Sequence, residues 1–160
     1  MSTIHLTTFI AAPVERVFDL SRSINLHKIS TADTKEEAVA GRMSGLINEG
    51  EKVTWKAKHL FKTRFFTSKI SSMKLNESFT DEMEKGDFKS YKHEHHFKQV
   101  DNGTIIIDLI EFESPYGVIG QLFNQLYLKR YLEALLIKRN NVIKEYAETQ
   151  KWQAFLNYYN

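Results

Sequence analysis

The sequence contains no cysteine, and this absence excludes disulfides, thiolate nucleophiles and cysteine-ligated metals. Long apolar runs are also missing. No segment is long and apolar enough to span a bilayer, and no apolar stretch near the amino terminus resembles a signal peptide. From these absences we expect a cytoplasmic protein with no integral membrane segment.

Charge of one sign is not in excess either, because 22 lysine and arginine residues are interspersed with 20 aspartate and glutamate residues. No basic face stands out, so we expect no nucleic-acid partner. The stretch at 41–45 lacks the spacing and the Lys-Ser/Thr pair of a phosphate-binding loop. No serine lies in a nucleophile-elbow context. The pairs Lys129-Arg130 and Lys138-Arg139 are predicted to face solvent on a helix.

Apolar and aromatic residues are plentiful: 42% of the chain is hydrophobic, and 11 phenylalanines and 7 tyrosines are present. A chain of 160 residues with this composition is long enough to bury one core. The aromatic residues can fill that core or line a pocket. We predict a single domain over residues 1–150, followed by an aromatic tail at 151–160 that docks on the body or contacts a second subunit.

The carboxyl-terminal part predicts one long helix, from 118 to about 150. No proline follows Pro115 and no glycine follows Gly120. Such a helix would be about 45 Å long. The apolar set in 119–137 is wider than one stripe, so either the short helices or a second copy of the chain cover its excess. A homodimer is therefore one alternative. The residues at helical spacing are Ile119, Leu122, Phe123, Leu126, Leu128, Leu132, Leu135, Leu136, Val142, Ile143 and Tyr146.

Alternating apolar and polar residues predict strands before this helix. One strand covers 3–10. Two short helices follow, the first over 13–20 with Pro13 in its first turn, the second capped by Ser21 or Ser23 and ending at Ile29. A loop at 41–50 separates a short strand at 36–40 from longer ones. In the strand starting at 51, one face carries Val53, Trp55, Ala57, His59 and Phe61. Further strands are predicted at 63–70, 76–83, 88–100 and 104–113.

The hairpin signal Asp101-Asn102-Gly103 joins the last two strands. Consecutive strands with short turns favour an antiparallel sheet. With helices gathered on one of its faces, the fold class is α+β.

This order of elements resembles the helix-grip fold of the START-like (SRPBCC) superfamily, which includes birch-pollen allergens, lipid-transfer START domains and polyketide cyclase/dehydrase-type proteins. The similarity is strongest to bacterial members. It covers residues 3–148 and rests on F-I-A-A-P-V-E-R-V-F-D-L at 9–20, G-E-K-V-T-W-K-A-K-H at 50–59, F-T-D-E-M at 79–83, H-E-H-H-F at 93–97, G-T-I-I-I-D at 103–108 and S-P-Y-G-V-I-G at 114–120. The resemblance implies a curved antiparallel sheet wrapped around the long C-terminal helix, with a cavity between them.

His93, His95 and Asp108 are the sharpest candidates for chemistry. Alternation places both histidines on the inner face of one strand, and the hairpin places Asp108 within a residue or two of opposing His95 or Phe97. His59 points to the same face from another strand. A carboxylate beside an imidazole can orient it for general acid–base catalysis.

Three interpretations of this group stay open. It is a self-satisfied polar network that orients a ligand, a catalytic pair or a metal site. The sequence favours the first, because histidines spaced i, i+2 occur by chance in any histidine-rich strand. We expect no resident metal and no cofactor.

The sequence predicts a ligand site between sheet and helix. The inner aromatic residues include ordinary core positions, but the fold leaves part of this face to line a cavity. Tyr131 and Leu135 would extend the roof. The predicted ligand-binding residues are Trp55, His59, Phe66, Phe79, Tyr91, His93, His95, Phe97, Ile106, Asp108, Ile110, Phe112, Leu122 and Leu126.

Three functions follow. The sequence favours binding, and by extension transport, of a hydrophobic or amphipathic small molecule such as a lipid. The first alternative is a cyclase, dehydratase or hydrolase that uses His95 with Asp108, supported by His93, His59 or Tyr91. The second is a co-chaperone-like interaction domain, which predicts a collapsed interior and an exposed apolar patch.

Overall fold

The computed structural model describes residues 1–59, 61–114 and 127–156. The beginning of the predicted long helix lies outside the described residues. With it lie four of its predicted apolar positions: Ile119, Leu122, Phe123 and Leu126.

Seven strands account for most of the chain up to residue 113. They are β1 (Ser2–Ile10), β2 (Glu37–Gly41), β3 (Lys52–His59), β4 (Lys62–Lys74), β5 (Ser78–Lys85), β6 (Ser90–Val100) and β7 (Gly103–Glu113). All pair antiparallel in one curved sheet, in the order β1-β7-β6-β5-β4-β3-β2. This confirms the predicted α+β class.

The hairpin between β6 and β7 turns at the predicted position. Val100 pairs with Gly103, and the resulting register places His95 directly opposite Asp108. A side chain at Gly103 would begin 2.2 Å from the carbonyl oxygen of Ile10, so glycine is required where β1 crosses this turn. The predicted neighbourhood of His95 and Asp108 is confirmed.

Phe61 departs from the prediction. The alternation placed it on the inner face of a continuing strand, but His59 pairs with Lys62, so the chain has already reversed direction. Phe61 has φ of +66° and is 96% exposed. A turn cuts the apolar alternation short, and the pattern of residue types alone does not mark that turn.

Two short helices follow β1, as predicted: α1 (Val14–Ser21) and α2 (Ile24–Ser30). Ser23 Oγ accepts a hydrogen bond from the Leu26 backbone N at 3.2 Å, so Ser23 is the residue that caps α2. A 3₁₀ turn at Ala32–Thr34 leads toward β2.

The long C-terminal helix α3 covers Lys129–Glu148 within the described residues. Leu136, Asn140, Ile143 and Ala147 are its buried positions, at the i, i+4, i+7, i+11 spacing of one helix face. Ile137 is 43% exposed on another side. No described helix has both the length and the apolar character needed to cross a membrane.

The core lies between the sheet and the helices. Phe18 of α1 is fully buried, and its ring meets those of Phe79 and Phe97 edge-on at 5.7 and 5.2 Å. The last described residues join the same core. A second 3₁₀ turn at Gln150–Ala154 places Leu156 in it at 4% exposure.

Candidate functional site

A cavity of about 350 Å³ lies between the inner face of the sheet, α2 and α3. Its lining is mainly apolar and aromatic, with a few ionisable side chains. From α3, Tyr131 and Leu135 line it, which are the two described roof positions that the sequence suggested. Eight of the predicted ligand-binding residues line it: Trp55, His59, Phe66, Phe79, Tyr91, His93, His95 and Ile110.

The other predicted positions lie elsewhere. Phe97 and Ile106 belong to the core beneath α1, and Phe112 packs with Ile4 in a second apolar cluster. Asp108 is fully buried behind the histidines. None of these four predicted residues lines the cavity, because a side chain on the inner face of the sheet can be covered by a helix as well as by open space. Leu122 and Leu126 lie outside the described residues.

Four polar side chains are here named the His–Asp cluster: Asp81, His93 and His95, which line the cavity, and Asp108, which lies buried behind them. The two imidazole rings lie 3.6 Å apart. His93 Nε2 is 2.9 Å from Asp108 Oδ1, and His95 Nε2 is 2.9 Å from Asp81 Oδ2. His95 Nδ1 is also 2.9 Å from Asp108 Oδ1, although the angle there does not suit a hydrogen bond. Each imidazole therefore lies between two carboxylates.

Helix α3 fixes Asp108 from the opposite side. Asn140 Nδ2 donates to Asp108 Oδ2 at 2.7 Å and lies 3.0 Å from Thr8 Oγ1 on β1. Arg139 Nη1 is 3.7 Å from Asp108 Oδ1, and Arg139 Nη2 donates to the Ser21 carbonyl at 2.9 Å. These contacts hold the carboxylate rigidly beneath the histidines.

Arg139 corrects a prediction. The sequence placed the Lys138-Arg139 pair on the solvent side of the helix, and Lys138 does face outward, where it pairs with Asp33. The Arg139 side chain is only 11% exposed and lines the cavity. The boundary between the exposed and the buried face of α3 falls between these two neighbours. The next residue, Asn140, is buried against β1 and β7.

The environment of the His–Asp cluster sets its charges. Burial alone would raise the pKa of Asp108, but the contacts with His93 and His95 hold this pKa well below its usual value. For Asp81, the same competition between burial and the neighbouring imidazoles also lowers the pKa. Burial, together with the electrostatic effect of the neighbouring His95, lowers the pKa of His93 to about 4. At neutral pH both carboxylates are therefore charged and His93 is neutral.

A second polar group on the cavity wall, here named the Glu36 cluster, comprises His27, Glu36, His59 and Tyr131. His27 Nε2 lies 2.8 Å from Glu36 Oε2, and His59 Nε2 lies 3.5 Å from Glu36 Oε1. The other nitrogen of His59, Nδ1, is 2.8 Å from the Tyr131 hydroxyl on α3. Burial would raise the pKa of Glu36, but hydrogen bonds with both histidines outweigh it and lower this pKa to about 2.

Sequence reasoning missed Asp81 and Glu36. For Asp81 a signal existed, since it alternates with Phe79 on an inner face and pairs directly with His93 across β5 and β6. Glu36 was placed only at the start of a predicted strand at 36–40, with no role in a site; in the structure it precedes β2. His27, which was not among the predicted site residues, contacts Glu36 and lies against the ring of Trp55 at 4.3 Å between centroids.

The curved antiparallel sheet, the two short helices after its first strand and the long C-terminal helix define a START-like helix-grip fold. The chain therefore has the architecture that the sequence resemblance implied. No protein-family model matches the sequence, and no curated protein matches it at a significant level.

Solved structures do resemble this chain. One from Thermus thermophilus superposes with a TM-score of 0.70 at 18% identity, covering 89% of this chain and 97% of that one. A START superfamily protein from Mycobacterium smegmatis gives 0.68 at 12% identity, covering 91% and 97%. A major latex-like protein from Panax ginseng gives 0.67 at 16% identity, covering 92% and 98%. At these identities the similarity establishes the fold.

Proposed function

We propose that this protein binds a hydrophobic or amphipathic small molecule in the cavity between its sheet and α3. The observation that carries the proposal is the cavity itself: about 350 Å³, mostly apolar walls and a small set of convergent polar groups. Small-molecule sites in proteins commonly have this composition and a volume of about 300–1,000 Å³.

The apolar walls supply the driving force for binding. Trp55, Phe66, Phe79 and Ile110 contribute side chains from four strands, and Leu135 faces them from α3. Each CH₂ group that a ligand transfers from water into such an environment contributes about 0.8 kcal/mol. A lipid-like or polycyclic ligand would need few polar contacts to bind.

The polar side chains would orient the ligand. Asp81, His95 and Arg139 all line the cavity, so a ligand hydroxyl or carbonyl group could replace part of their mutual contacts. His95 and Arg139 are held in place by Asp108 and Asn140 behind them, which do not themselves line the cavity. A rigid polar patch on an apolar wall selects ligands by the position of their polar group.

The same geometry favours binding over the acid–base alternative. General acid–base catalysis needs an imidazole nitrogen directed at the substrate. Both nitrogens of His95 are 2.9 Å from carboxylate oxygens, and His93 Nε2 is 2.9 Å from Asp108. The third alternative, an interaction domain with a collapsed interior, does not account for the cavity.

Native mass spectrometry of freshly purified protein tests the proposal first. We expect a co-purifying small molecule of defined mass, and an extraction that removes it should leave folded protein. The emptied protein should then bind an apolar fluorescent probe in a saturable manner. Folded protein that neither carries a molecule nor binds the probe would contradict the proposal.

A variant that fills the cavity supplies the control. Ala57 is buried and lines the cavity, so Ala57→Leu places extra carbon atoms in the space meant for ligand. We expect probe binding to weaken at least about tenfold, the effect of about 1.4 kcal/mol. Ala134→Leu adds the same atoms at an exposed position of α3 and should leave binding unchanged. Equal effects of the two substitutions would argue that the probe binds elsewhere.

A further inference from the structure

Three side chains of the His–Asp cluster converge in a way that a hydrogen-bonded network alone does not require. Asp81, His93 and His95 each present one nitrogen or oxygen atom, and these three atoms lie within 4.8 Å of one another. Asp81 and His93 are directly paired across β5 and β6, while His95 follows two positions later on the same face. All three line the cavity.

Asp108 determines which nitrogen of each ring points toward Asp81. Its Oδ1 atom is 2.9 Å from His93 Nε2 and 2.9 Å from His95 Nδ1. The opposite nitrogens, His93 Nδ1 and His95 Nε2, lie 3.9 and 2.9 Å from Asp81 Oδ2. In protein metal sites, an outer carboxylate characteristically contacts the far nitrogen of a histidine whose near nitrogen binds the ion. Here one buried carboxylate hydrogen-bonds the far nitrogen of His93 and lies 2.9 Å from the far nitrogen of His95, at an angle that does not suit a hydrogen bond.

The contacts of His95 call for an additional positive charge. A neutral imidazole has one N–H group, yet both nitrogens of His95 are 2.9 Å from carboxylate oxygens. Its Nδ1 atom is buried and makes no hydrogen bond of good geometry with any described residue. A cation between Nε2 and Asp81 would remove one unfavourable contact and leave the ring proton on Nδ1, facing Asp108.

We propose that Asp81, His93 and His95 bind a divalent first-row transition-metal ion, with Zn²⁺ as the first candidate. Imidazole and carboxylate ligands suit Zn²⁺, and three protein ligands leave a fourth position open. Because the three residues line the cavity, this position would face the bound molecule and could take one of its oxygen atoms. Two histidines and one carboxylate also suit Fe²⁺. Asp108 would act as the outer carboxylate, positioned by Asn140.

The Glu36 cluster offers an internal control, since it also combines two histidines with one carboxylate. There the imidazoles contact different oxygens of Glu36, at 2.8 and 3.5 Å. His59 Nδ1 faces the Tyr131 hydroxyl, and no buried carboxylate stands behind it among the described contacts. The structure therefore favours the His–Asp cluster as the metal site over the Glu36 cluster.

Calorimetric titration of chelator-treated protein with Zn²⁺ tests the proposal, and Co²⁺ serves as a spectroscopic substitute with visible absorption. We expect one ion per chain. Asp81→Asn should abolish binding, and His95→Gln should do the same if it folds. Asp108→Asn leaves the ligands in place and should weaken binding about 10- to 100-fold, as loss of an outer carboxylate does. Circular dichroism confirms that each variant is folded.

Two control variants should bind the metal as the unaltered protein does. His96→Ala removes a histidine on the outer face of the same strand, where it is 45% exposed beside Glu94. Glu36→Gln removes the carboxylate of the Glu36 cluster. Absence of stoichiometric binding, or binding that survives Asp81→Asn but is lost in Glu36→Gln, would overturn the proposal. The titration uses metal alone, so its outcome is independent of whether the apolar probe binds.

Discussion

The His–Asp cluster and the Glu36 cluster use the same chemistry in different settings. Each places a carboxylate between two imidazoles on the wall of one cavity. The His–Asp cluster comes from three consecutive antiparallel strands, and its central carboxylate, Asp108, is fully buried. The Glu36 cluster joins α2, β3, α3 and the segment before β2, and its carboxylate is 10% exposed. Strand register fixes the first cluster, whereas packing between separate elements assembles the second.

We expect the largest effect from Asp108→Ala. This change leaves the imidazoles of His93 and His95 and the amide of Asn140 without their shared partner in a fully buried position. Breaking a buried pair in this way costs about 3–5 kcal/mol. Urea unfolding of the variant and the unaltered protein measures the difference.

Asp33→Ala is the control for that substitution. Asp33 pairs with Lys138 but its side chain is 81% exposed, so its removal should change stability by less than about 1 kcal/mol. Similar losses in the two variants would mean that burial does not distinguish these carboxylates.

The second prediction concerns the stability of the fold at acidic pH. The pKa of Glu36 is lowered from its ordinary value of 4.5 to about 2, with His27, His59 and Tyr131 facing it. Because this pKa is lower in the folded state than in the unfolded state, the ionised carboxylate stabilises the fold at pH values above the unfolded-state pKa. The contribution is lost as the pH falls toward the folded-state pKa. Between about pH 5 and pH 2 the free energy of unfolding should fall by about 3 kcal/mol more in the unaltered protein than in Glu36→Gln. Denaturant unfolding at both pH values gives the comparison, and parallel losses would argue against a charged Glu36.

The smallest effect is expected from Tyr131→Phe. The change removes one hydroxyl, which lies 2.8 Å from His59 Nδ1, and leaves the ring in place. Loss of a single hydrogen bond of this kind costs about 1 kcal/mol. Thermal unfolding of the variant beside the unaltered protein measures it. A loss as large as that of Asp108→Ala would contradict this ranking of the two clusters.

The contrast also explains how far the sequence could predict the site. The Asp101-Asn102-Gly103 turn fixes the β6–β7 register, and so the approach of His95 to Asp108 followed from residue order. Alternation of apolar and polar residues also placed His93 on the inner face of the same strand as His95, where it lies. The position of Arg139 did not follow, because apolar periodicity does not fix the rotation of a helix to within one residue.

Glu36 shows a second limit. It lies in a connection whose path depends on the packing of α2 against the sheet, and no local pattern encodes that path. Phe61 shows the converse, since its residue type continued the alternation of β3 after the chain had turned. Local periodicity predicted the strands well, but it did not predict contacts made by turns and connections.

One oxygen atom of Asp108, Oδ1, contacts both imidazoles, so a displacement of either ring acts on the same carboxylate. The other oxygen is held by Asn140, whose amide also lies 3.0 Å from Thr8 on β1. A molecule that shifts His95 in the cavity therefore pulls on a carboxylate anchored to α3 and, through it, on the edge of the sheet. Occupancy of the cavity would thus act on β1, the edge strand of the sheet, through His95, Asp108, Asn140 and Thr8.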